Sequence, residues 1–282
     1  MTEIPELTVV FLGLASAVSF GAGDFTGGLA TKRSDALSVV MISQTAGIIL
    51  LSCMAILLRE PFPGTGDLAL GAGAGLAGAI GLVTFYRALA IGPMGMVAPT
   101  TAVIGAAIPV AFGLLFEGLP GIQQLAGLIL AFLAVWLVSA AGRSVRVPFS
   151  NLGLPLSAGS MFGLFFILMG QVSPGTVFWP LVAARAASLS TLFLVAIFRR
   201  DIRLPVRRQV PLIALAGILD AGGNIFYTLA AQVGRLDIAA MLSSFYPAST
   251  VLLARVVLKE VISPRQWAGL SVALIAILLI TS

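Results

Sequence analysis

The chain reads as a succession of long apolar runs broken by short polar connections. Ten runs stand out, at 7–28, 36–58, 68–91, 94–116, 122–141, 152–171, 177–198, 210–233, 236–258 and 264–280. Each approaches the roughly 20 residues a helix needs to cross a hydrocarbon core about 30 Å thick. The runs are continuous, whereas membrane β-strands read as alternating stretches of about ten residues, so strands do not fit. The first run is too long, and too poor in preceding positive charge, for a cleaved signal peptide. The pattern predicts an all-α membrane protein with ten transmembrane helices.

Sliding the chain along itself by 142 residues places Phe20-Gly21 on Phe162-Gly163 and Gly92 on Gly234. The same offset places "QLAGLILAFLA" (124–134) on "QWAGLSVALIA" (266–276). One offset serving three separated regions predicts two five-helix repeats, 1–145 and 146–282. Five is odd, so the second repeat enters the membrane inverted. Inverted repeats place a substrate site at their interface near the bilayer midplane and work by alternating access.

Composition agrees: 59% of residues are hydrophobic and 10% charged, against about 25% charged in a soluble domain. The net charge of +5 does not indicate nucleic acid here, because the basic residues sit in short connections. Lys32, Arg33, Arg143, Arg146, Arg199, Arg200, Arg203, Arg207, Arg208, Lys259 and Arg265 fall on one side, and Arg59 and Arg235 on the other. Eleven against two puts both termini on the non-cytoplasmic side of a plasma (bacterial inner) membrane. The single cysteine, Cys53, lies in an apolar run and gives neither a disulfide framework nor a zinc pattern. The chain has no histidine, which excludes histidine triads and histidine metal sites. No metal or cofactor is expected. No loop is long enough to suggest a partner protein, leaving a small-molecule substrate, the lipid bilayer and a monomer or weak homo-oligomer.

Two motif regions add to this. "YPASTVLLARVVLKEVISPRQWAGL" (246–270) sets Pro247 thirteen residues before Glu260, then Gln266 and Gly269. The first half has Glu117, Gln124 and Gly127, with Gly105 at the proline's position and Pro109 four residues later. "FYRALAIG" (85–92) ends the third run on aromatic-x-x-Ala-Leu, and Arg185 lies within the seventh. In these features the whole chain resembles the drug/metabolite transporter superfamily, and within it the ten-helix EamA-type exporters. The resemblance implies export of amino acids, other small metabolites or toxic compounds, usually driven by the proton gradient. Many members carry an arginine where Arg185 stands, and Ser43 takes the equivalent place in the second run. Many also have basic first-half loops and cytoplasmic termini, a bias this chain reverses.

An ionisable group at the centre of a membrane helix costs about 2.5–3.5 kcal/mol on insertion scales, so it needs a partner or a purpose. Asp220, Asn224 and Tyr227 share one helix face by spacing, and under the offset they fall on Gly78, Leu82 and Phe85. That polar face therefore belongs to one half only. It is either a site for an asymmetric substrate or a buried network that glues helix eight to a neighbour, with Arg185 as the candidate link. Asp24, about 12 Å before Lys32 along a helix, is a proton or cation site or the partner of a substrate amine. The plainer alternatives pair it with Arg87 or set it near headgroups.

Other letter matches are weaker. Gly21-Ala22-Gly23-Asp24 spells the GxGD of intramembrane aspartyl proteases, but "ILDAGG" (218–223) lacks that family's preceding tyrosine and no Pro-Ala-Leu follows. No enzyme is expected. Gly73, Gly75 and Gly78 fit a dinucleotide fingerprint by letters alone; inside an apolar span they suit close helix packing. Arg255 and Lys259 are expected to snorkel, and Pro99, Pro109, Pro180 and Pro247 to bend their helices.

The sequence thus points to a secondary active transporter exporting small metabolites, hydrophobic or aromatic amino acids among them, with proton coupling as a candidate. The expected substrate-binding residues are Asp220, Asn224, Tyr227, Arg185, Phe85, Tyr86, Trp179 and Tyr246, with Asp24 as the proton-coupling candidate. A passive facilitator or channel is the alternative.

Overall fold

Hydrocarbon offers no partner to a backbone N–H or C=O, so each apolar run must pair its own backbone, and a helix does this within the segment. The structure is a computed structural model that describes residues 3–91, 94–139, 152–199 and 204–281. Its helices are α1 (Glu3–Thr31), α2 (Ala36–Leu57), α3 (Thr65–Ile91), α4 (Met94–Phe116), α5 (Ile122–Ser139) and α6 (Gly153–Gly170). The second half supplies α7 (Phe178–Arg199), α8 (Val210–Val233), α9 (Leu236–Ser243), α10 (Tyr246–Val257) and α11 (Pro264–Ile280). Among the described residues nine segments are long and apolar enough to cross a membrane, α9 and α10 together making one of them. The 17-residue α11 is apolar and slightly shorter.

The ninth run is where expectation and structure part. One helix over 236–258 was expected, but the chain turns at Ser244 and Phe245 and restarts as α10. Pro247 has no N–H to give, and its ring crowds the carbonyl four residues back, at Ser243. The N–H groups of Ser244 and Phe245 fold back instead onto the carbonyls of Ala240, Met241 and Leu242. Proline alone is not sufficient for a break, since α4 runs unbroken through Pro99 and Pro109.

Counting α9 and α10 as the ninth span and α11 as the tenth, the packing recurs when span n is exchanged for span n + 5. Helix α1 packs on α8 as α6 packs on α3; α2 lies on α8 as α7 lies on α3; α1 meets α9 and α10 as α6 meets α4. The pairs α2 with α7, α4 with α9 and α5 with α11 map onto themselves. Two of these contacts depend on glycine. A Cβ on Gly75 would stand 2.0 Å from the carbonyl oxygen of Ala184, and one on Gly217 would stand 1.9 Å from that of Ser43.

The two connected parts of the ninth span have opposite surroundings. Every residue of α9 is buried. The two largest apolar clusters meet on it, one through Ile238, Met241 and Leu242 and the other through Ala239 and Ala240. By contrast α10 has no buried residue. Helix α9 therefore fills the bundle toward the face bearing Glu60, Asp67, Glu117 and Asp237, called here the acidic face. Helix α10 descends toward the basic face, with Lys32, Arg207, Arg208, Lys259 and Arg265, and none of its residues is fully buried, whereas two smaller apolar clusters pack the ends of α1, α2, α7 and α8 there.

Overpacking costs about 1–3 kcal/mol or more when the neighbour cannot yield. Gly217→Ala drives a methyl into backbone and is expected to lower the melting temperature clearly, whereas Gly28→Ala, with open space around the new Cβ, is not. Equal melting of the two variants in detergent would refute the close approach of α2 and α8.

Candidate functional site

The α2–α8 contact at Ser43 and Gly217 sets the next turns of both helices against α7. Arg185 reaches from α7 into that seam. Its Nη1 donates to Gln44 Oε1 at 2.5 Å, and its Nη2 donates to Asp220 Oδ2 in an ion pair. The arginine side chain is 8% exposed and the aspartate 42%, so the pair is anchored in protein at one end and open at the other. Asn224, four residues on, donates from Nδ2 to the Asp220 carbonyl at 2.8 Å and is buried.

Asp24 stands at the same level. Gly23, beside it, abuts the backbone of Asp220: a Cβ there would lie 3.2 Å from its nitrogen. Asp24 is near enough to Asp220 and Tyr246 for their charges to interact, yet it is exposed. A residue deep among helices with open surface faces a gap between them rather than packed core. It makes no hydrogen bond and no ion pair among the described residues. Arg87 is exposed and forms no pair with it.

Aromatic rings stand beside these charges. Phe20, one turn before Asp24 on α1, meets Phe166 of α6 edge-on at 6.2 Å between centroids. Phe85 meets Phe162 at 6.3 Å. Tyr246 opens α10 and is half-buried.

Not every expected site residue joins this group. Tyr227 is fully buried; its hydroxyl donates to the Phe166 carbonyl at 2.6 Å and its ring packs on Phe166 at 4.6 Å. It ties α8 to α6. Trp179 lies in the first turn of α7 at the acidic face, where Nε1 donates to the Glu60 carbonyl and the ring packs on Phe62. That is six residues, or ~9 Å, along the helix from Arg185. The Tyr86 side chain lies outside the described residues. Gln44 was missed because an amide does not ionise, so its presence in an apolar run raised no cost argument.

The acidic face holds a second constellation. The carboxylate of Glu60 accepts the N–H groups of Val177, Phe178 and Trp179 at 2.9–3.1 Å. These are among the groups a helix start leaves unpaired. Pro180 has no N–H to add, and α7 is not broken there. Asp67 accepts from the N–H of Ser173 at 3.0 Å. Glu117 accepts from the N–H of Leu236 at 3.1 Å. Arg235 pairs with buried Asp237 at 2.7 Å and donates to the Gly118 carbonyl at 2.6 Å. Partial burial pushes the Glu117 carboxyl above its ordinary value; the Leu236 N–H lowers it, Asp237 raises it and Arg235 lowers it.

Residues 151–282 match the sequence model of the EamA-like transporter family. This part of the chain is an EamA-like transporter domain. The family belongs to the drug/metabolite transporter superfamily, and the protein is a multi-pass membrane transporter. The crystal structure of a protein 14% identical in sequence shares the fold, with a TM-score of 0.78 over 95% of this chain and 98% of that one. No curated protein matches the chain.

Two outcomes follow from these charges. Arg185→Gln strands the Asp220 carboxylate, and removing one partner of such a pair is worse than removing both. The double variant Arg185→Gln/Asp220→Asn is expected to melt closer to wild type than Arg185→Gln alone, and the reverse order would show that the pair does not hold the site together. Glu117, raised when folded, contributes stability that is fully present below its ordinary value of 4.5 and lost as pH rises through the raised value. The wild-type melting temperature is expected to fall across that window, with Glu117→Gln flattening the profile. Parallel profiles would contradict the assignment.

Proposed function

We propose that the protein is a secondary active transporter that exports small metabolites, hydrophobic or aromatic amino acids among them, by alternating access between inverted repeats 1–145 and 146–282. The observation that carries this reading is the asymmetric filling of the bundle. On the acidic face α9 is buried on every side, and first-half carboxylates tie down second-half helix starts. On the basic face no residue of α10 is fully buried, Asp24 is exposed and Asp220 is part-exposed. A charged site reached from one face and sealed from the other supports a carrier over a continuous channel. The recurrence of packing under exchange of spans supports the two-repeat description.

Basic loops favour the cytoplasm, so the open face is the one from which an exporter would load, and both termini lie on the far side of a bacterial inner membrane. Arg185, Asp220 and Gln44 hold the polar end of the substrate, with Asn224 steadying the Asp220 turn. Phe85 and Tyr246 face its apolar part. Tyr227 and Trp179 act indirectly, by closing the acidic face. Asp24 carries the coupling proton.

The test is uptake of labelled phenylalanine into proteoliposomes with and without an imposed pH gradient. Wild type is expected to accumulate it only with the gradient. Asp24→Asn is expected to lose accumulation while keeping downhill exchange, and Asp220→Asn to lose both by about tenfold or more. Equal downhill flux in wild type with and without the gradient would make the protein a facilitator and sink the proposal.

A further inference from the structure

The 142-residue offset that relates the two halves also relates their helix bounds. It carries α2, Ala36–Leu57, onto α7, Phe178–Arg199, and the starts of α4 and α5 onto those of α9 and α11. Packing follows the same offset toward the helix ends. On the acidic face Leu70, Val172 and Leu181 belong to one apolar cluster. Their counterparts on the basic face, Leu212, Ala30 and Val39, also pack together. The same apolar floor therefore lies under both faces, and the polar groups above it can be compared position by position.

They differ in one respect. On the acidic face Asp67, in the first turn of α3, holds the turn before α7. It accepts the N–H of Ser173 at 3.0 Å and stands 3.5 Å from the Thr176 hydroxyl. The offset places Asp67 on Gln209 and Thr176 on Ser34. Gln209 precedes α8 and Ser34 lies in the turn before α2, each one helical turn from the basic-face floor. Yet Gln209 Oε1 and Ser34 Oγ are both buried with no hydrogen-bond partner among the described residues. Buried polar groups are costly to leave unpaired, and a hydroxyl donor and an amide acceptor are complementary. Their standing orphaned at the very positions that are tied on the other face marks a contact this state leaves unmade.

Alternating access rocks one repeat against the other about a fixed site, so a contact that seals one face has a counterpart that seals the other in the opposite state. We propose that Ser34 and Gln209 are that counterpart: the Ser34 hydroxyl donates to Gln209 Oε1 when the basic face closes, and this tie alternates with the one on Asp67. The proposal rests on the alternating-access reading and adds to it the residues that lock the second state. An interaction made in one state alone shifts the balance between the two by its own strength. Ser34 and Gln209 are thus positioning residues, acting on the helices without touching the substrate.

Cross-linking of the full chain in membrane vesicles tests this, using Ser34→Cys and Gln209→Cys in a Cys53→Ser background. A disulfide needs its two Cα atoms within about 7 Å of each other. Copper phenanthroline is expected to join the pair, read as loss of free thiol after denaturation. Asp67→Ala, which releases the acidic face, is expected to speed joining by about threefold or more; Thr176→Ala takes its place if that chain does not fold. Gly269→Ala, which pushes α11 from α5 instead, is expected to leave the rate unchanged. If the cysteine pair does not fold, spin labels on Arg33→Cys and Arg208→Cys replace it, with a separation that shortens on Asp67→Ala. No joining, a rate or separation indifferent to release of the acidic face, or equal acceleration by Gly269→Ala would overturn the proposal. Gradient-driven accumulation by wild type beside an indifferent cross-link removes this proposal alone. A responsive cross-link in a protein that never accumulates substrate removes the carrier reading and leaves the alternating tie standing.

Discussion

No backbone polar group can face hydrocarbon unpaired, and the rest of this structure depends on that constraint. It turns each apolar run into a helix and makes any interruption informative, because broken backbone is tolerated at membrane depth only inside protein or beside water. The ninth span breaks at Ser244 and Phe245, after eight residues buried on all sides. Its second part, from Tyr246 to Val257, has no fully buried residue. Pro247 thus divides one span into a piece that fills and a piece that borders space. Asp24 and Asp220 lie beside the division.

The ionisable groups obey the same logic. Asp220 is held by an arginine that is itself gripped by Gln44, so three helices share the cost of placing the pair there. A pair with one buried end gives weak net stability, because desolvation of that end offsets attraction. What they give reliably is position: α2, α7 and α8 must keep their register for Arg185 to reach both partners. Gly217 under the Ser43 carbonyl is the contact that allows it. Asp24 has no such partner among the described residues, and that difference separates a residue that ties three helices together from one that is exposed between them.

Most of the helices could be read in advance, because twenty apolar residues in lipid have few alternatives. The break in the ninth span could not, since Pro99 and Pro109 look no different by spacing and leave α4 continuous. The seam of Asp220 with Arg185 was readable because a charge in a span demands a partner. Gln44 was not, and its role depends on how α2 crosses α7. Tyr227 and Trp179 illustrate a further limit. Periodicity puts Tyr227 on the face of Asp220, but two turns along α8 carry it away from Arg185 and into contact with Phe166. Trp179 looked like a cavity ring and is instead an anchor beside Glu60. Helix-face arguments give direction around an axis and say little about depth.

The acidic face carries a last consequence. Its ties are hydrogen bonds from backbone N–H groups to Glu60, Asp67 and Glu117, at the starts of α7 and α9 and in the turn that precedes α7. Each net bond to a charged carboxylate is worth about 1.5–3 kcal/mol, and a carboxylate that reaches the aqueous side regains much of what it gives up. Water is thus the competing ligand for every tie. In the proposed transport cycle each tie would exchange its backbone partner for water one for one, so the apolar packing of α9, and not the polar ties, sets the larger cost of opening this face.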